Sequence, residues 1–172
     1  MSRLFAVAAL LLLLPGEAGA QQACAAVAEP WRQARTLASA MDARAANRAR
    51  FATGQAGSPA AAPDGEVAYV TLPKGAGEAA SFGGMATFEA ARAGVYRVAL
   101  EKSAWVDVVA DGKPAPTVRF GRGADCSGVQ KAVEFRLDAG PHVIELSGSK
   151  DRELGIIVSA IQEGVRVDPP SP

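Results

Sequence analysis

Histidine is almost missing from this chain: its 172 residues hold one, His142, beside two cysteines, Cys24 and Cys126. Zinc takes four nitrogen or sulfur ligands, or three and a water, so these side chains cannot assemble such a site within one subunit. Calcium needs only oxygens, but Asp107, Asp111 and Asp125 match no known binding-loop spacing. No metal and no cofactor is therefore expected. Net charge is lacking too, with 18 Lys and Arg against 18 Asp and Glu. Nucleic-acid binding relies on a basic face that neutralises phosphates, so none is expected. Neither a Gly-x-Ser-x-Gly elbow nor a Cys-x-x-Cys pair occurs, and no residue is assigned a catalytic role.

Long apolar runs are also scarce. The single one, 4–14, follows Arg3 and precedes Pro15, Gly16 and the small residues Ala18-Gly19-Ala20. It is too short for the roughly 20 residues of a spanning helix, and its order is that of a secretory signal peptide. Residues 1–20 are read as that signal, with cleavage after Ala20. The mature chain is then periplasmic or secreted and has no transmembrane segment. Gln21-Gln22-Ala23 before Cys24 lacks the Leu and small residues that precede a lipid-modified cysteine.

In such an oxidising compartment Cys24 and Cys126 are expected to pair, tying the mature N-terminus to the body of the domain. Closing a loop of about 100 residues stabilises by up to roughly 4–5 kcal/mol in the chain-entropy account.

Three regions follow the signal. Residues 21–52 form an N-terminal arm. Within it Trp31, Ala34, Leu37, Met41 and Ala45 recur at helical intervals, which predicts an amphipathic helix over 28–49; an extended arm anchored by Trp31 is the alternative. Residues 24–50 also carry five arginines against Glu29 and Asp42, a net of +3. This is a solvated basic face or one that docks on an acidic surface. Residues 53–65, rich in Gly, Ala and Pro, are read as a linker.

From 66 to 165 the pattern becomes β-rich. Strands are predicted at 67–72, 85–90, 95–100, 105–109, 117–120, 131–137, 142–147 and 154–161, with a Pro-rich tail at 166–172. Tyr96, Val98 and Leu100 alternate with Val95, Arg97 and Ala99, and Val133, Phe135 and Leu137 with Glu134 and Arg136. Ala93-Gly94, Asp111-Gly112 and Ala139-Gly140-Pro141 supply the turns. About eight short strands, each with one apolar face, make an all-β, two-sheet β-sandwich or jelly roll.

The stretch 83–161 resembles the jelly-roll modules of exported bacterial proteins, including pre-peptidase C-terminal domains. The resemblance is carried by Ala93-Gly94-Val95-Tyr96-Arg97-Val98, Val106-Asp107-Val108-Val109 and Ile144-Glu145-Leu146-Ser147-Gly148. Cys24, Trp31, Arg35 and Leu37, taken with Gly121-Arg122-Gly123-Ala124-Asp125-Cys126-Ser127-Gly128 and Lys131, resemble a group of small exported bacterial proteins. Some of that group go under the name homogentisate dioxygenase. Such an enzyme holds iron with two histidines and a carboxylate, which one histidine cannot supply, so no catalytic residue is carried over.

Ligand-binding candidates are Trp105, Asp107, Arg119, Arg122, Asp125 and Lys131. Trp105 is either a core residue or an aromatic platform. The glycine-rich loop at 119–131 is either structural or a site where arginine forks meet carboxylate or phosphate. His142 alternates with Ile144 and Leu146 and is expected to be packed rather than catalytic.

Three functions are open. The first is a non-catalytic exported module binding a partner protein or glycan at the envelope. The second is a hydrolase or oxygenase with an unfamiliar site, which paired carboxylates in a pocket would favour. The third is an envelope protein assembling through its arm. Oligomeric state is not legible.

Overall fold

Alternating apolar residues do build two facing sheets. The computed structural model describes residues 29–38, 40–77 and 80–161; the expected signal, the tail and Cys24 lie outside these. Two short helices, α1 (Glu29–Arg32) and α2 (Ala43–Ala46), accompany eleven strands among the described residues. The strands are β1 (Arg35–Leu37), β2 (Ala56–Pro59), β3 (Ala62–Pro63), β4 (Phe82–Ala90), β5 (Gly94–Leu100) and β6 (Trp105–Ala110). They continue as β7 (Lys113–Pro114), β8 (Thr117–Gly121), β9 (Lys131–Leu137), β10 (Gly140–Ser149) and β11 (Ile156–Ile161). One sheet has the order β1-β2-β11-β5-β9-β8 and the other β3-β4-β10-β6-β7. The chain is a β-sandwich. Among the described residues no helix is long and apolar enough to cross a membrane.

Register explains which side chains meet in the core. Val98 lies opposite Val133 and Val158, and Tyr96 opposite Phe135, so one face of the six-stranded sheet is continuously apolar. Phe88, Ile144, Leu146 and Val108 present the buried face of the other sheet. Phe88 joins the two, its ring 6.1 Å from that of Tyr96 and 5.6 Å from that of His142.

Tyr96 and His142 each follow an Ala-Gly turn, and each returns its polar tip to the backbone four residues earlier. The Tyr96 hydroxyl donates to Arg92 O at 2.9 Å, and His142 Nε2 lies 2.9 Å from Asp138 O. These bonds let a large ring enter the core while the Tyr96 hydroxyl and His142 Nε2 stay partnered. His142 is thus a packed strand-end residue.

Three local expectations are corrected. No amphipathic helix spans 28–49: α1 and α2 are single turns flanking β1, which joins the larger sheet parallel to β2. One turn of helix fixes many dihedrals for few bonds, and the thin alanine stripe does not offset that. Strand pairing instead buries Leu37. Between the two turns the arm is extended, and it is pinned by Trp31, whose Nε1 donates to Ser127 O at 2.8 Å. The indole also packs over Gly128, at φ +68°, where a side chain would strike the ring.

The stretch 53–65 is no linker. It supplies β2 and β3, one to each sheet, because short Ala, Gly and Ser side chains fit close to neighbouring strands. The predicted strand at 67–72 is a loop. The N–H groups of Val70 and Thr71 donate to the buried Glu145 carboxylate at 2.5 and 3.1 Å, rather than to a strand ladder.

Candidate functional site

A groove of about 800 Å³ opens where β6 and β7 of one sheet come near β8 and β9 of the other. Trp105, Asp107, Lys131, Phe120, Leu72 and Lys74 define it. Trp105 starts β6 on the outer face and is 44% exposed, so it is not a core residue. Its ring is nonetheless fixed in place. Lys131 Nζ sits 4.6 Å from the ring centre, and the indole edge lies so close to Gly75 that a Cβ there would overlap it. Leu72 and Phe120, at 89% and 78% exposed, add apolar surface at the same opening.

The polar groups here are under electrostatic tension. Partial burial raises the Asp107 carboxyl above its ordinary value, and the attraction of Lys131 and Lys74 only partly offsets this. Partial burial likewise lowers the Lys131 ammonium, with Asp107 opposing the shift. Lys131 also donates to Ala104 O at 2.9 Å. Desolvation outweighs mutual attraction for both groups, so the groove holds an acceptor and a donor that gain from a polar ligand.

Asp107 lies directly opposite Glu145 on β10, which raises the question of a carboxylate pair. Glu145 is fully buried and accepts from Val70 N, Thr71 N and Thr71 Oγ1. Its oxygens are committed to holding the 70–71 loop. Among the described residues no second carboxylate faces the groove beside Asp107. Among the described residues no cluster of three or more metal-ligating side chains forms, and Asp107, Asp111 and Asp125 do not converge.

Arg119 and Arg122 are brought together elsewhere. They line a depression of about 580 Å³ over the outer face of the six-stranded sheet, with Arg97, Glu134, Gly121 and Ser127. Glu134 Oε1 accepts from Arg97 Nε at 3.0 Å, Arg97 Nη2 at 2.6 Å and Arg119 Nη2 at 3.0 Å, while Oε2 accepts from Arg119 Nε at 3.2 Å. Those bonds, from Arg119 foremost and then Arg97, hold the Glu134 carboxyl below its ordinary value. Asp125 lines neither concavity. Trp105 and Arg122 do not share a single concave site, although Phe120 borders both.

Sequence reasoning thus found Trp105, Asp107 and Lys131 but missed Phe120, Leu72 and Lys74. Phe120 lies opposite the buried Val133, and the edge position of β8 leaves its ring exposed.

Cys126 is not a free thiol, and it adopts φ +64° in the loop beneath Trp31. The expected partner Cys24 lies outside the described residues. No family model, no curated protein and no solved structure matches the chain.

Proposed function

We propose that the chain is an exported, non-catalytic β-sandwich module that binds a glycan of the cell envelope in the Trp105 groove. The observation that carries this reading is a half-exposed indole, held in place by Lys131 and Gly75, next to the desolvated Asp107. A sugar ring has an apolar C–H face that packs on an aromatic, and hydroxyls that pair with carboxylate and ammonium. The groove offers both. An acceptor and a donor without a second carboxylate beside them suit binding rather than carboxylate-pair hydrolysis.

Trp105→Ala is expected to weaken retention on envelope polysaccharide at least tenfold in affinity electrophoresis, with the melting temperature changed little. Asp107→Asn should also weaken retention but raise the melting temperature, because removing a desolvated charge relieves a cost tolerated for binding. Retention unchanged in both variants would refute the glycan reading.

A second reading, a partner protein, is favoured by β8. This edge strand exposes Val118 and Phe120 and pairs with β9 on one side alone, which is the geometry for strand addition. Loss of binding on Val118→Pro, with sugar retention absent throughout, would select it.

Export implies oxidation, so the pairing of Cys24 with Cys126 belongs to the same proposal. Protein secreted from its own signal should take up no alkylating reagent until reduced, then two equivalents by mass spectrometry. Alkylation without reduction would remove the bridge and weaken the case for export.

A further inference from the structure

We propose that the outer face of the six-stranded sheet carries an oxyanion site, independent of the Trp105 groove, that takes a carboxylate or phosphate group through Arg97, Arg119 and Arg122. The argument begins with register. Across β11, β5, β9 and β8 one row reads Ser159, Arg97, Glu134 and Arg119, each paired directly with the next. Two residues along, the adjoining row on the same face reads Ala99, Ala132 and Gly121. Side chains of one face recur every second residue, so a row of long charged groups stands beside a row of the shortest ones. The result is a trench, walled on one side by guanidiniums and closed by the 122–129 loop.

Charge and preorganisation point to an anion. Three arginines against Glu134 leave two net positive charges among the lining residues. Glu134 is nearly buried, with 8% of its side chain exposed, whereas those of Arg97 and Arg119 are 42% and 68% exposed. Each of these two guanidiniums gives Nε and Nη2 to Glu134, which leaves Nη1 and the second Nη2 hydrogen of each for another acceptor. A fork held by one carboxylate loses little freedom when it meets a second, and planar bidentate pairing suits carboxylate and phosphate alike. Glu134 is the positioning residue and Arg122 the added charge from the loop.

The test is an NMR titration of the intact mature protein with glucuronate, inorganic phosphate and, as neutral control, glucose, at constant ionic strength. Saturable shifts at Gly121, Gly123 and the arginine Nε–H groups are expected with glucuronate or phosphate and not with glucose; the stronger of the two anions identifies an acidic sugar or a phosphate ester as the source. Arg122→Ala, whose side chain supports no strand pairing, should weaken binding about tenfold, while Trp105→Ala should leave it unchanged. Glu134→Gln discriminates further. It removes a negative charge, so a mere basic patch would bind more tightly, whereas a site that depends on held forks binds more weakly. No saturable shift with either anion, unchanged binding in Arg122→Ala, or tighter binding in Glu134→Gln would overturn the proposal.

Discussion

Val98→Asp is expected to abolish folding. Val98 is 0% exposed, and its cross-strand neighbours Val133 and Val158 are also buried and apolar. Neither cross-strand neighbour offers a cation, so the new carboxylate would be unpaired in the core. Such a charge costs several kcal/mol, against a total stability of about 5–15 kcal/mol. The fitting control is Arg136→Asp in β9, at an exposed position of the opposite phase, which should shift stability by no more than about 0.5 kcal/mol. Arg97→Asp is not a neutral control even though it faces outward. It would remove two donors from the Glu134 carboxylate and set a second negative charge beside it, so a moderate loss is expected there. Urea unfolding of the three variants checks all of this. Equal damage from Val98→Asp and Arg136→Asp would mean that the inner and outer phases have been misassigned.

The strands that could be read in the sequence are those whose alternation does the folding. In β5, β9 and β10, apolar residues two apart form the facing layers, and the turn residues between them are unambiguous. The strands β1, β2 and β3 could not be read because they are two to four residues long and hold their place by backbone pairing at or next to sheet edges. Composition says nothing about that. The opposite error occurred at 67–72, where β-prone residues are drawn out of a strand by a single buried acid 75 positions away, Glu145.

The site divides in the same way. Trp105 and Asp107 share an outer face by simple period-two reasoning. That Lys131 reaches the Trp105 ring depends on two sheets converging, which no local pattern encodes. Arg119 and Arg122 resembled companions of Lys131 because all three lie within one short stretch. The bulge in β8 instead sets Arg119 opposite Glu134 and directs it to the outer face of the larger sheet.

Asp64→Ala is the second substitution expected to be severe, at about 3–5 kcal/mol, and Asp64→Asn is expected to be far milder. Asp64 is 3% exposed and begins a short turn, Asp64–Glu66, within the stretch whose composition suggested a linker. Its Oδ2 accepts from Ser81 Oγ at 2.6 Å and from Gly148 N at 2.8 Å. Its Oδ1 lies 2.5 Å from the Tyr69 hydroxyl, which is also 2.8 Å from Leu146 O. Burial, and then the bond to Asp64, raise the Tyr69 phenol well above its ordinary value, so it stays protonated. Alanine would remove the acceptor of Ser81 Oγ and leave the Gly148 N–H unmet, at about 1–3 kcal/mol for each lost bond, and would open a cavity as well. Asparagine keeps an oxygen toward Ser81 and Gly148. Its NH₂ group can donate to the Tyr69 oxygen, which frees the single phenolic proton for Leu146 O. Ser81, Gly148, Tyr69 and Leu146 each keep their bond, and the loss should be below about 1.5 kcal/mol. The damage from alanine should reach the groove too, because Gly148 lies against Gly75 and the Trp105 ring. Urea unfolding gives the energies, and Trp105 fluorescence at low denaturant, measured in a Trp31→Phe background, reports the groove. Equal destabilisation by alanine and asparagine would show that the negative charge, rather than the hydrogen-bond pattern, is what this corner of the fold requires.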